Sequence, residues 1–300
     1  MIQDQSPQSS NTTMIAVDYS NEDGLVDVLS DIKIEVVICA FSLHSQDTSD
    51  SQVNLIHAAE KSPSVKRFIP SEFNVDYDLA DDYLHYEDKL FHRQARRALE
   101  ASSMLQFTYV YTGMLMDYFA YPDADSNVRE LGIFIDPIHR KALLPGDGSA
   151  KMSMTLSTDV AHYLALALDM ESWPSVLSTV ASTLTLNDLV HVVERTIGAN
   201  LQVTYQPIEA YKSRTNALLP RNQDLAARFP QRFPHGTEQV RELIGDLEAS
   251  VGLGAFDLEH IKDGINLVDF FGQDSVHPIR FDYLVRSTWK VRHTLGKDSC

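Results

Sequence analysis

Four carboxylates fall within seven residues at Asp76, Asp78, Asp81 and Asp82, dense enough to draw a cation. Counted from Asp76, a calcium loop needs glycine at its sixth position to make its sharp turn, and this run has Asp81 there. A solvated acidic loop is therefore the expectation. His85 and His92 follow, seven apart on a helix predicted over 83–102, and two turns of separation keep them from sharing one zinc without distant ligands. Arg93, Arg96 and Arg97 crowd the same helix. They are expected to pair with the nearby acids, and would meet a phosphate only if a ligand were held there. No Gly-x-Ser-x-Gly elbow is present, so serine-hydrolase chemistry is unsupported. Tyr111, Thr112, Met114 and Tyr118 come at the carboxyl end of the apolar run Phe107–Tyr111, the end at which parallel α/β sheets collect ligands. These four are the candidate substrate residues. Met114, like Phe119, reads equally as core. Tyr111 and Tyr118, apolar rings with polar tips, suit substrate contact or packing.

The elements that must position these groups alternate. Met14–Tyr19, Glu35–Ala40, Val65–Ile69 and Phe107–Tyr111 read as strands, and Glu35–Ala40 is nearly continuous in apolar character, as a strand covered on both faces should be. Between them lie helical patterns: one opening at a predicted Ser20 N-cap and carrying Leu25, Val26 and Leu29, one over 51–61, and one over 83–102. On the last, Leu84, Phe91, Ala95, Ala98 and Leu99 share a stripe, and Asp88 stands four before His92, where it could pair with the imidazole. Strand–helix–strand spacing of this kind implies right-handed βαβ units and a parallel sheet. Beyond residue 120 the texture changes. The predicted helices are 158–170 and 185–197, the latter capped by Thr185, with a strand over 201–205 and helical patterns broken by Pro220, Pro230 and Pro234. The division this suggests is a tail over 1–13, a partial dinucleotide-binding domain over 14–120 and a mainly helical, smaller α+β substrate domain over 121–300.

The 300 residues are 44% hydrophobic and 22% charged, enough for a full core, with a formal charge of −17. That charge repels phosphate backbones and anionic lipid, which excludes nucleic acid and membrane surfaces as partners. Two cysteines, Cys39 and Cys300, build neither a disulfide framework nor a Cys-based metal site, and no metal is expected. The first 13 residues lack a signal-peptide core and no apolar run reaches 18 residues, so a cytoplasmic protein is the expectation. A dinucleotide turn needs Gly-x-Gly-x-x-Gly after the first strand. Gly24 is the only glycine before Gly113, so that fingerprint is absent.

Lys66-Arg67-Phe68-Ile69-Pro70-Ser71-Glu72-Phe73 resembles the signature of the NmrA-like/isoflavone-reductase-like family of atypical short-chain dehydrogenase relatives. The likeness continues at Gln52-x-x-Leu55-Ile56-x-Ala58-Ala59, Phe107-Thr108-Tyr109-Val110, Leu144-Pro145-Gly146-Asp147-Gly148, Asp159-Val160 and Leu184-Thr185-Leu186-Asn187. The resemblance implies a Rossmann-like sheet and an NADPH-dependent reductase of a small molecule in specialised metabolism. Phe41, Ser42, Pro70, Ser71, Glu72 and Phe73 would then face the cofactor, and Lys89 or His92 would supply the proton. The family places its catalytic lysine seven residues before the Leu-Glu that ends the helix, and here that position is His92, with Lys89 one turn upstream. The family's first strand, glycine turn, first helix and second strand, about 40 residues, should precede Val17-Asp18-Tyr19-Ser20 and are not in this sequence. Since the first strand is central in the 3-2-1-4-5-6 order, Met14–Tyr19 is expected to lose its neighbour and Glu35–Ala40 to lie at an edge. The alternatives are a non-catalytic dinucleotide sensor, an interaction protein or a degenerate member, and a cofactor-free isomerase or cyclase. A homodimer is left open.

Overall fold

In the computed structural model, which describes residues 12–120, 126–259, 261, 264–272 and 277–295, the parallel layer is built from both halves of the chain. Its first part runs α1 (Glu22–Asp31), β1 (Val36–Ile38), α2 (Gln46–Lys61), β2 (Arg67–Ile69), α3 (Lys89–Ala101), β3 (Gln106–Phe107) and β4 (Tyr109–Tyr111). β1 pairs with β2, and β2 with β3, all parallel. Thr108 alone separates β3 from β4.

The chain then forms β5 (Met114–Leu115), α4 (Asp117–Ala120), β6 (Ile135–Asp136), β7 (Lys141–Pro145), β8 (Lys151–Thr155) and α5 (Ser157–Leu168). β9 (Val176–Ser178), β10 (Ser182–Thr185), α6 (Leu186–Ile197) and β11 (Gln202–Gln206) follow. The last stretch holds α7 (Ile208–Lys212), α8 (Pro220–Gln223), α9 (Leu225–Arg228), α10 (Thr237–Gly252), β12 (Gly264–Asn266), α11 (Leu267–Phe271) and α12 (Phe281–Leu295). β9 pairs parallel with β4 and with β12, extending the layer to the order β1-β2-β3/β4-β9-β12. The division drawn at residue 120 therefore does not separate the sheets, because β9 and β12 cross it. Of two smaller sheets, β11-β7-β6 belongs to the second half, and β10-β8-β5 takes β5 from before residue 120.

Alternation along β2 shows why its residues are apolar on both sides. Phe68 packs into the cluster that includes Leu55, Ala59, Ala95 and Leu99 of α2 and α3. Ile69 packs with Val160, Tyr163 and Leu164 of α5 and Leu267 of α11. A strand enclosed by helices on both faces has no side left for polar residues.

Met14–Tyr19 is not a strand. A strand needs a neighbour to take its N–H and C=O groups, and no described strand lies beside it. Met14 is 86% exposed, and Ile38 of β1, at the edge of the layer, is 42% exposed. The predicted Ser20 cap moves by one: Asn21 caps α1 by accepting from the Gly24 N–H, while Ser20 bonds Asp18. Thr185 caps α6 as predicted, accepting from the Asp188 N–H at 3.0 Å. The helix predicted over 83–102 begins only at Lys89; the segment before it is held elsewhere, the His85 N–H donating to Ser250 Oγ of α10 at 2.9 Å and the Leu84 carbonyl accepting from Lys89 Nζ at 2.8 Å. Of the predicted tail, residues 1–11 lie outside the described residues, as do Tyr121, Pro122, Asp123, Ala124 and Asp125 at the predicted boundary. Among the described residues no helix is long and apolar enough to cross a membrane.

Candidate active site

Three strand ends converge where parallel sheets place ligands. The Ser71 N–H, just past β2, donates to Gln52 Oε1 of α2 at 2.7 Å, and Ser71 Oγ donates to the Phe41 carbonyl past β1 at 2.5 Å. These two bonds tie the carboxyl ends of β1 and β2 to one helix. Phe73 adopts φ +33°, a left-handed backbone that a bulky residue holds only when its surroundings over-determine it. Those surroundings are past β4. Thr112 Oγ1 donates to the Phe73 carbonyl at 2.8 Å, and the Thr112 and Gly113 N–H groups both donate to the Asn74 carbonyl. Gly113 itself sits at φ +64°, and a Cβ there would meet the Ser153 carbonyl oxygen at 2.1 Å, so glycine is required.

Below this rim, Arg96 organises the acidic run. Its guanidinium makes a two-bond fork with Glu72 at 2.5 and 2.6 Å, reaches Asp76 at 2.6 Å and Asp78 at 3.1 Å, donates to the Tyr111 hydroxyl and lies 4.3 Å from the Tyr109 ring centroid. Burial pushes the Glu72 carboxyl up while the fork draws it back. Arg97 takes Asp78 at 2.7 Å, and Arg93 donates to the Tyr77 and Leu79 carbonyls. The run is thus a strap ion-paired through Asp76 and Asp78 to the arginines of α3, as expected, while Asp81 and Asp82 stay exposed.

The two candidate proton donors are placed differently from expectation. Lys89 is buried, with its amino group bound to the Asp81 carboxylate and, at 2.8 Å, to the Leu84 carbonyl. His92 is buried and stacks flat on Tyr77, ring centroids 3.5 Å apart and planes 5° from parallel. It does not pair with Asp88, which precedes the helix and makes no side-chain cap. Burial lowers the imidazole to about 3, opposed by a hydrogen bond with the Ser71 main chain, so the ring is neutral at ordinary pH. Its Nδ1 has no partner, and neither does Gln52 Nε2.

Of the candidate substrate residues, Thr112 and Met114 are buried, the former committed to Phe73. Tyr111 is buried against Arg96, and Tyr118 is half-buried. Sequence reasoning gave no role to Gln52, Asn74, Tyr77 or Tyr86. Gln52 had a readable signal: it falls on the stripe Ser49, Gln52, Leu55, Ile56 and Ala59, where a polar residue in an apolar face asks for a buried partner.

A reduced dinucleotide fits these residues at one end. Phe41, Ser71 and Phe73 form a rim with two enclosed nitrogens, Gln52 Nε2 and His92 Nδ1, lacking partners beside it. At the other end no glycine cradle is formed among the described residues. The only glycine before Gly113, Gly24, lies inside α1, where a Cβ would meet the Asn21 side chain. The first turn of α2 is already closed by its own Ser45–Thr48 capping box.

A parallel layer covered by helices on both faces, with its polar groups gathered at the carboxyl ends of the strands, defines a Rossmann-like α/β protein. The chain matches the NmrA-like family over residues 2–253 and belongs to it. It is 26% identical to oxidoreductase swnN of Metarhizium robertsii over 93% of this chain and 85% of that one. It is 28% identical to isoflavone reductase of Glycine max over 81% and 74%. Among solved structures, isoflavone reductase superposes with a TM-score of 0.66 at 22% identity, covering 90% of this chain and 80% of that one. The leucoanthocyanidin reductase–NADPH binary complex from Vitis vinifera gives 0.63 at 18%, covering 90% and 82%.

Proposed function

We propose that this chain is an oxidoreductase of the isoflavone-reductase kind, using NADPH on a small molecule of specialised metabolism held against the rim at Phe41, Ser42, Pro70, Ser71, Glu72 and Phe73. The observation that carries the reading is the Ser71–Gln52–Phe41 knot, which fixes two strand ends at a site enclosed enough to leave two nitrogens without partners. The names of the relatives support it. A reduced nicotinamide, when bound, supplies a hydride to an electrophilic carbon. The chain's own part is to orient and to exclude water: Phe41 and Phe73 offer apolar surface, the strained Phe73 backbone is held in place by Thr112, and Tyr118 supplies a polar tip at the edge. His92 acts as a neutral hydrogen-bonding ring, and Lys89 reaches a ligand only on leaving Asp81.

A second reading is favoured by the same two residues. With Lys89 engaged, His92 neutral and no glycine cradle, the chain would sense a dinucleotide without turning it over. NADPH fluorescence titration separates these. Saturable binding, with NADPH oxidised once electrophilic small-molecule acceptors are added and that oxidation lost in Lys89→Ala or His92→Ala, supports the enzyme. Binding with no oxidation supports the sensor, and no binding at millimolar NADPH overturns both.

A further inference from the structure

Each polar group of Ser71 is held by a different element. Its N–H donates to Gln52 Oε1 of α2 at 2.7 Å, and its hydroxyl donates to the Phe41 carbonyl past β1 at 2.5 Å. Its main chain also bonds the His92 imidazole of α3. Ser71 has one N–H, and that N–H is given to Gln52 with the Cys39 sulfur beside it, so the imidazole is bonded to the Ser71 carbonyl. A carbonyl only accepts, which makes the ring the donor. The bond also favours the protonated ring, as a bond donated by the ring does.

α2 and α3 are pinned together at this level. Ser49, one turn before Gln52, donates to Gln94 Oε1 at 2.6 Å and lies 3.2 Å from the Phe91 carbonyl. Gln52 is fully buried, and His92 is buried against Tyr77. The Ser71 bond turns the Gln52 oxygen toward the strand end and leaves Nε2 enclosed without a partner. On His92 the enclosed nitrogen without a partner is Nδ1, so Nε2 is the one that donates to Ser71. A neutral imidazole carries a single ring proton, and with that proton on Nε2 the Nδ1 atom is a bare acceptor. The other tautomer would set the Nε2 lone pair against the Ser71 carbonyl oxygen and leave an Nδ1–H with nothing to receive it.

We propose that Gln52 is a positioning residue that sets the tautomer of His92: it holds Ser71 so that the Ser71 carbonyl takes the Nε2–H, and Nδ1 is left to accept an O–H or N–H of the bound ligand. The ligand half of this rests on the oxidoreductase reading, whereas the tautomer does not. Held this way, His92 recognises a hydrogen-bond donor on the ligand and has no proton on Nδ1 to give.

The test is a long-range proton–nitrogen NMR spectrum of the full chain labelled with nitrogen-15 histidine, without cofactor, His92 being assigned with His92→Phe. A protonated Nε2 and an unprotonated Nδ1 are expected. Gln52→Glu keeps an acceptor oxygen for the Ser71 N–H in either protonation state and should leave that pattern in place. Gln52→Met offers no such oxygen and should lose the pattern to a mixture of the two tautomers. If that variant does not fold, Gln52→Asn, too short to reach Ser71, replaces it. A protonated Nδ1 in the wild type, or an unchanged pattern once the Ser71 bond is gone, overturns the proposal. Saturating NADPH should then move the wild-type Nδ1 signal, and a signal unmoved at saturation overturns the ligand half. NADPH that does not bind at all sinks the oxidoreductase reading separately, because the tautomer is read without it.

Discussion

His92→Phe should change how stability depends on pH. The phenyl ring keeps a flat surface for the Tyr77 stack, 3.5 Å away in the native protein, but carries no proton. The folded imidazole is lowered by burial to about 3, from 6.5. Between those values the unfolded chain binds a proton that the folded chain refuses, so the wild type has its full stability above pH 6.5 and loses it as pH falls toward 3. Each pH unit within that window is worth about 1.4 kcal/mol, and the ceiling is about 5 kcal/mol. From pH 7 to pH 5 the wild type should lose about 2 kcal/mol relative to the variant. Raised carboxyls such as Asp246 and Glu248 shift both proteins alike and cancel in the difference. Urea unfolding of the two proteins at pH 5, 6 and 7 reads it directly. If the difference between them stays constant within about 0.5 kcal/mol, the imidazole is not excluded from protonation and the buried stack is wrong.

Three further substitutions probe the scaffold. Arg96→Lys replaces a planar fork by a point charge and should cost about 2–3 kcal/mol in denaturant unfolding, because buried Glu72 loses one of its two charged hydrogen bonds and the Tyr111 hydroxyl its donor. Gly113→Ala must displace the Ser153 main chain and hold alanine at φ +64°. Loss of folded yield, or a fall of at least about 3 kcal/mol, is expected. Thr185→Ala removes the α6 cap and should cost about 1 kcal/mol with no effect on ligand binding, read by thermal unfolding.

The elements that sequence made legible are those whose signals are local. Glu35–Ala40 and Val65–Ile69 declare their strands by apolar continuity, and Thr185 declares α6 by its hydroxyl three residues before Asp188. What sequence concealed depends on distant contacts. Met14–Tyr19 has strand composition but no neighbour to pair with. Leu84 fits the helical stripe of α3, yet the segment before Lys89 is not helical and its His85 N–H is held by Ser250, 165 residues away. β9 and β12 join the first sheet from beyond residue 120, a pairing that no local pattern shows. Within the site, the Pro70–Phe73 motif was visible as a block of residue types, whereas the contacts of Gln52 with Ser71 and of Tyr77 with His92 arise only when α2, α3 and the acidic strap meet. The arginines of α3 were legible as partners for the acids, but not that Arg96 would bind Glu72, Asp76 and Asp78 together.

The proposed function places the ligand at the carboxyl ends of β1, β2 and β4. A crystal structure of the full chain soaked with millimolar NADPH tests it most directly. Nicotinamide density against Phe41, Ser71 and Phe73, with Ser71 still bonded to Gln52, is the predicted result. Density at any other surface, or none there although binding is seen in solution, would contradict it.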